Sequence, residues 1–150
     1  MANNDWFNKR YLRSIDNIRL WNENPRLNPD EKHITLADFV EDITEDKNDR
    51  CNFLELVKSI AVNGFIPAEP IVVWQDSANN KLYVAEGNRR VLALKLLRNP
   101  ARAPKKIRAS IRNYAEQWTY LDKIYVNIAP TLGTVAKWQE IPNKLIDNLI

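Results

Sequence analysis

A mixed α+β domain is what this sequence predicts, and three observations carry the prediction. A short apolar run from Ile71 to Trp74, a turn-forming segment from Asp76 to Asn80 and a returning run from Lys81 to Ala85 read as a β-hairpin. The second arm leads straight into Asn88 to Arg98, apolar on nearly every side, which reads as a helix buried against the sheet with only Lys95 and Arg98 reaching out. Strands and helices follow one another in no regular alternation, which argues α+β rather than repeated strand and crossover helix. The expected architecture is a small mixed sheet with a β-hairpin leading into a buried helix, followed by a long C-terminal helix.

The chain has 150 residues, 45% of them hydrophobic. That suits one domain, whose folding buries roughly two-thirds of the unfolded chain's surface. The apolar runs fall short of the ~20 residues that span a bilayer, and the polar start, Met1 to Asp5, lacks the apolar segment of a signal peptide. A cytoplasmic protein with no membrane partner is the expectation. Cys51 and His33 are the only residues of their kinds. An internal disulfide, a thiolate metal site and most triad chemistries are therefore excluded.

Taken in order, Trp6, Phe7, Tyr11, Leu12 and Ile15 are spaced as a short amphipathic helix or arm. Asn17 to Trp21 alternates polar and apolar as a first strand, and Asn22 to Pro29 is a turn region that holds Arg26. Ile34 to Asp49 is acidic, with Leu36, Phe39, Val40 and Ile43 at helical spacing. Phe53, Leu56, Val57 and Ile60 mark a helix from Cys51 to Val62, closed by Asn63-Gly64 as a left-handed cap. Residues 65–70 form a loop before the hairpin.

Asn99-Pro100 stops the buried helix, and Pro104 opens the next. From there Ile107, Ile111, Tyr114, Trp118, Leu121, Tyr125 and Ile128 alternate steps of four and three as a heptad seam. Such a seam packs on the domain's own core or another helix, or pairs two chains as a coiled coil. Thr134 to Trp138 reads as a further strand, and Pro142 opens an amphipathic helix still apolar at Ile150. The chain thus reads as a single domain, with a core over about 17–98 and a helical extension over about 104–150, and as the N-terminal part of a longer protein.

The functional signal lies at the strand-to-helix turn, Glu86-Gly87-Asn88-Arg89-Arg90. A helix start offers unpaired backbone N–H groups and the positive end of the macrodipole, and a glycine lets a ligand oxygen approach. Arg89 and Arg90 add forked donors that match phosphate geometry. The alternative is that both arginines are solvated or pair with a carboxylate such as Glu86. Charge supports the first reading: Glu86 to Arg112 carries nine Lys or Arg and one Glu, whereas Asp38 to Glu55 carries seven acids and two bases. One face is thereby suited to a polyanion.

Three segments resemble the N-terminal domain of the ParB/sulfiredoxin superfamily, specifically ParB-like proteins. They are a strand followed by Asn24-Pro25-Arg26; a helix with Ser59-Ile60 leading through Asn63-Gly64-Phe65-Ile66 to Pro70-Ile71-Val72-Val73; and the hairpin ending in Gly87-Asn88-Arg89-Arg90 with Ala93. The similarity covers about residues 17 to 98, and Gly-x-Arg-Arg-x-x-Ala is its most specific part. It implies a ParB/sulfiredoxin-like fold in which this element binds the triphosphate of a nucleotide, CTP or ATP, with possible Mg2+. By that resemblance Gly87, Asn88, Arg89, Arg90 and Arg26 would form the phosphate site.

The chain also departs from the family. Asn88 stands where the partition proteins usually carry glutamate, and the loop Pro67-Ala68-Glu69-Pro70 lengthens a region that contacts the base, which leaves the base open. Sulfiredoxin's catalytic cysteine would fall at Asn88, and Cys51 lies in another element, so sulfinic acid reduction is excluded. The family's second phosphate motif and helix-turn-helix would lie downstream.

The leading functional expectation is a nucleotide-responsive, DNA-associated regulatory or partition-type module that can pair two chains as a homodimer. Arg98, Arg102, Lys105, Lys106, Arg108 and Arg112 would contact the DNA backbone without reading sequence. Its rivals are a metal-dependent nuclease, as some ParB-like domains are described, with Glu86 holding the metal, and a protein-interaction scaffold without ligand.

Overall fold

The computed structural model describes residues 5–20, 40, 44–65, 70–77 and 79–130. Five strands form one mixed sheet: β1 (Tyr11–Ser14), β2 (Ile18–Arg19), β3 (Val72–Gln75), β4 (Leu82–Glu86) and β5 (Lys123–Ala129). Their order is β1-β5-β3-β4-β2. The pairs β1/β5 and β3/β4 are antiparallel, and β5/β3 and β4/β2 are parallel. Three helices are described: α1 (Lys47–Asn63), α2 (Asn88–Arg98) and α3 (Lys105–Gln117). This is the mixed α+β class that the residue pattern predicts.

The two edge strands show that the sheet curls. Four inter-strand spacings would set the edges of a flat sheet roughly 19 Å apart. Yet β1 and β2 are joined only by the 3-10 turn Ile15–Asn17, and at about 2 Å per residue such a turn covers well under half that distance. The edges must therefore approach each other.

One face of the sheet, with Val73, Val84, Ile124 and Val126, packs with the three helices into the main core. There α2 is central, with Val91 through Leu97 all buried. The other face carries a smaller core of Val72, Trp74, Tyr83, Ala85 and Ala129, covered by Trp6 of the 3-10 turn Asp5–Phe7. Asn127 fixes that cover, its Nδ2 lying 3.0 Å from the carbonyl oxygens of Trp6, Phe7 and Lys9.

Several expectations change. The helix after Pro104 ends at Gln117; of the remaining seam residues, Trp118 and Leu121 lie in the connection and Tyr125 and Ile128 on β5. Ile107 and Ile111 are buried as the seam requires, but Ile124-Tyr125-Val126 is a β-branched and aromatic run that can alternate across a sheet. It does so between β1 and β3, with Tyr125 54% exposed and Val126 fully buried. The seam spacing was satisfied by chance once the chain turned at Trp118.

The stretch expected as a short amphipathic helix or arm is not a helix: it forms the 3-10 turn Asp5–Phe7 and β1, on which Tyr11 and Leu12 are exposed, and Ile15 opens the next 3-10 turn. Lys95 does not reach out: it is 9% exposed, and its Nζ donates to the Ile15 carbonyl at 3.1 Å. Gly64 ends α1 at φ 84 and ψ 166, a region open essentially to glycine alone but not the left-handed cap expected. The expected helix over 34–49 lies mostly outside the described residues, as do Thr134 to Trp138 and the segment after Pro142.

Candidate functional site

The hairpin positions the turn. Val72 pairs with Glu86, so Ile71 and Pro70 pass directly behind the end of β4. Gly87 takes φ 100, ψ 22 as the N-cap of α2, and its carbonyl accepts the first helical bond, from Val91 N at 3.0 Å. Two causes require glycine here. The left-handed backbone disfavours any side chain, and an added Cβ would collide with Ile71 Cδ1 and lie 3.2 Å from an Arg90 guanidinium nitrogen. With no side chain at Gly87, nothing at that position caps the helix start, and the first turn carries no acid to offset the positive end of the dipole.

The two arginines separate in role. Arg89 is exposed on the first turn of α2. Arg90 is half-buried and folds back, donating from Nη2 to the Pro70 carbonyl at 3.3 Å, and so braces the turn against the strand behind it. Glu86 is exposed at the end of β4, and Asn88 is half-buried. Arg26 lies outside the described residues. Among the described residues no group of three or more His, Cys, Asp or Glu side chains could hold a metal ion.

The basic stretch after the turn is divided by the fold. Arg98, whose side chain is 12% exposed, donates to Asp16 Oδ2 at 2.7 Å, to Asp122 Oδ1 at 3.0 Å and to the Leu121 carbonyl at 3.0 Å, and lies over the Tyr120 ring. It clamps the end of α2 to the segments flanking β1, β2 and β5, so it is not placed for DNA. Arg108 Nε donates to the Ala103 carbonyl at 3.0 Å. Arg102, Lys105, Lys106 and Arg112 are exposed. Lys105 and Lys106 sit in the first turn of α3, which has no acidic residue there and no side-chain cap from Pro104.

This second cluster is not adjacent to the turn. The two are separated by the length of α2, roughly 16 Å for its eleven residues. What reads along the chain as one basic block is two sites at opposite ends of a helix.

The fold also gathers basic residues that the sequence pattern does not connect. Arg13, Arg19 and Lys81 line a groove of about 380 Å³ at the mouth of the curled sheet, with Asn17, Gln75 and Asn80. No local signal marks them, since Arg19 and Lys81 meet through the pairing of β2 with β4 and Arg13 joins them only through the curl. The one usable clue is the short link between two strands at opposite edges.

Comparison with protein-family models, curated proteins and solved structures finds no significant match for this chain. Among the described residues, no helix is long and apolar enough to cross a membrane.

Proposed function

We propose that this chain is a ParB-like nucleotide-binding module whose Gly87 turn holds the phosphates of CTP or ATP, with Mg2+ as the accompanying ion. The observation that carries the reading is the start of α2: a left-handed glycine, no side-chain cap and an exposed arginine one residue inside the helix. Phosphate oxygens would accept from the first-turn N–H groups, and Arg89 would supply the charge-assisted contact. Arg90 would act chiefly by keeping the turn in shape through Pro70. The exposed cations Arg102, Lys105 and Lys106 support a DNA-associated role in which the backbone is contacted at a separate place, at the start of α3.

Thermal unfolding with CTP, ATP and GTP, with and without magnesium, tests the reading. A nucleotide at a hundred times its dissociation constant should stabilise the fold by about 2.7 kcal/mol. Arg89→Ala should remove that stabilisation while leaving the melting point of the free protein nearly unchanged, because Arg89 is exposed. Wild-type stabilisation in Arg89→Ala would overturn the assignment. The DNA role requires duplex binding that falls steeply between ~50 and ~200 mM salt and weakens on charge reversal of Lys105 and Lys106.

A further inference from the structure

A second anion site lies at the other end of the hairpin. The turn joining β3 to β4 is tightly built: Asp76 N donates to the Lys81 carbonyl at 2.9 Å, Asn80 N to the Asp76 carbonyl at 2.7 Å, and Lys81 N to Asn79 Oδ1 at 2.9 Å. Asn80 takes a positive φ of 60 to complete it, a conformation that asparagine tolerates better than most residues. Lys81 is thereby fixed at the rim of the groove described above. Across from it, the 3-10 turn Ile15–Asn17 brings Arg13 of β1 and Arg19 of β2 to the same space.

The charge of this groove is unbalanced. Among the described residues, its lining holds three cations and three amide side chains but no carboxylate. Two acids adjoin lining residues in the chain: Asp16 is turned to Arg98 at 2.7 Å, and Asp76 is buried in the hairpin turn. Arg13 has a local partner, the Leu12 carbonyl at 2.9 Å. Arg19 differs: its Nε is buried and has no hydrogen-bond partner. A buried guanidinium donor without an acceptor leaves Arg19 short of a partner among the described residues, which favours an anion in the groove that this residue lines. The volume of about 380 Å³ lies in the range of small-molecule sites.

We propose that this groove binds a small molecule bearing two or more phosphates, held by Arg13, Arg19 and Lys81 while Asn17 and Asn80 bond its remaining polar groups. The site is independent of the Gly87 turn, from which it is separated by the length of β4. A linear phosphate chain matches cations spread around a groove better than a single anion does, since each phosphate can reach a different side chain. The ligand would also tie β1 to β2 and the hairpin: β2 already pairs with β4, whereas β1 reaches β2 through the three-residue link Ile15–Asn17.

Inorganic pyrophosphate is the probe. Isothermal titration of the full chain should show binding that weakens about tenfold on losing one charge-assisted contact, in Lys81→Gln and in Arg19→Gln alike. Lys81 is exposed, so its variant reports on the site even if Arg19→Gln destabilises the fold. Arg89→Ala should bind pyrophosphate within twofold of wild type, which separates this site from the turn. Amide resonances of Asn80 to Leu82 should shift on titration. The proposal is overturned by the absence of pyrophosphate binding in Arg89→Ala, where the turn has lost its charge-assisted contact, or by binding in that background that Lys81→Gln leaves intact. It is equally overturned if these residues bind duplex DNA but not pyrophosphate, which would make the groove a polymer contact.

Discussion

Two helices of this domain begin in opposite ways. At α1, Asp46 Oδ2 accepts from Asn48 N at 2.9 Å and Asp49 N at 3.1 Å, so the helix brings its own anion to its positive end. At α2, the corresponding position is Gly87, which has no side chain, and the first turn carries Arg89 and Arg90 in place of an acid. The same backbone dipole is thus neutralised internally in one helix and left facing outward, with added positive charge, in the other. A helix start that serves only stability would be expected to resemble Asp46. The Gly87 start gives up that local stabilisation, and its geometry is held by packing behind it.

That packing gives the largest expected effect. Gly87→Val would combine left-handed strain of roughly 1–2 kcal/mol with overpacking of Ile71, typically about 1–3 kcal/mol. Denaturant unfolding should therefore show a loss of about 2–5 kcal/mol. Gly64→Ala is the control: Gly64 also has positive φ, but an added Cβ there meets nothing within 4 Å, so only the backbone term applies. A loss in Gly87→Val no greater than the left-handed strain alone, about 1–2 kcal/mol, would show that Ile71 does not confine the turn.

The far end of α2 sharpens the comparison. Arg98 is as basic as Arg89, yet it is engaged by two carboxylates and a carbonyl while Arg89 is exposed. Both carboxylates are largely exposed, with Asp16 at 70% and Asp122 at 59%, so solvent screens much of the attraction. The bond to the half-buried Leu121 carbonyl and the cover over Tyr120 are less screened. Arg98→Ala should cost about 1–2 kcal/mol, measured at low and at high salt, with only the smaller part of the loss depending on salt. Arg98→Ala as stable as wild type would mean that the clamp contributes nothing and that Arg98 belongs with the open cations.

The contrast between these arginines also marks how far the sequence could be read. The hairpin, α1 and α2 were legible because their signals are local: an apolar period, a turn-forming segment and a glycine at a strand-to-helix junction. The glycine turn was legible for the same reason. The division of labour between Arg89 and Arg90 was not, since it depends on Pro70 passing behind the turn. Nor were the roles of Lys95 and Arg98, whose acceptors at residues 15, 16, 121 and 122 are brought near only by the curled sheet. The seam after Pro104 misled at β5 because apolar residues alternating in a central strand can coincide with steps of three and four over a few positions.

The smallest effect is expected at the helix that caps itself, and it tests the premise of the comparison. Asp46→Ala removes both acceptor bonds and the charge and should cost about 1 kcal/mol. Asp46→Asn keeps an acceptor oxygen and removes only the charge, so it should lose just the dipole part, about 0.3–1 kcal/mol and reduced by salt. If Asp46→Asn is indistinguishable from wild type at low salt, hydrogen bonding alone stabilises the start of α1 and the field at a helix end in this fold is weak. An anion at Gly87 would then be held by backbone donors and Arg89, without help from the dipole. If Asp46→Asn instead loses most of what Asp46→Ala loses, and added salt shrinks that difference from wild type, a fixed negative charge is what a helix start in this domain recruits. A phosphate at Gly87 would then supply to α2 what Asp46 supplies to α1.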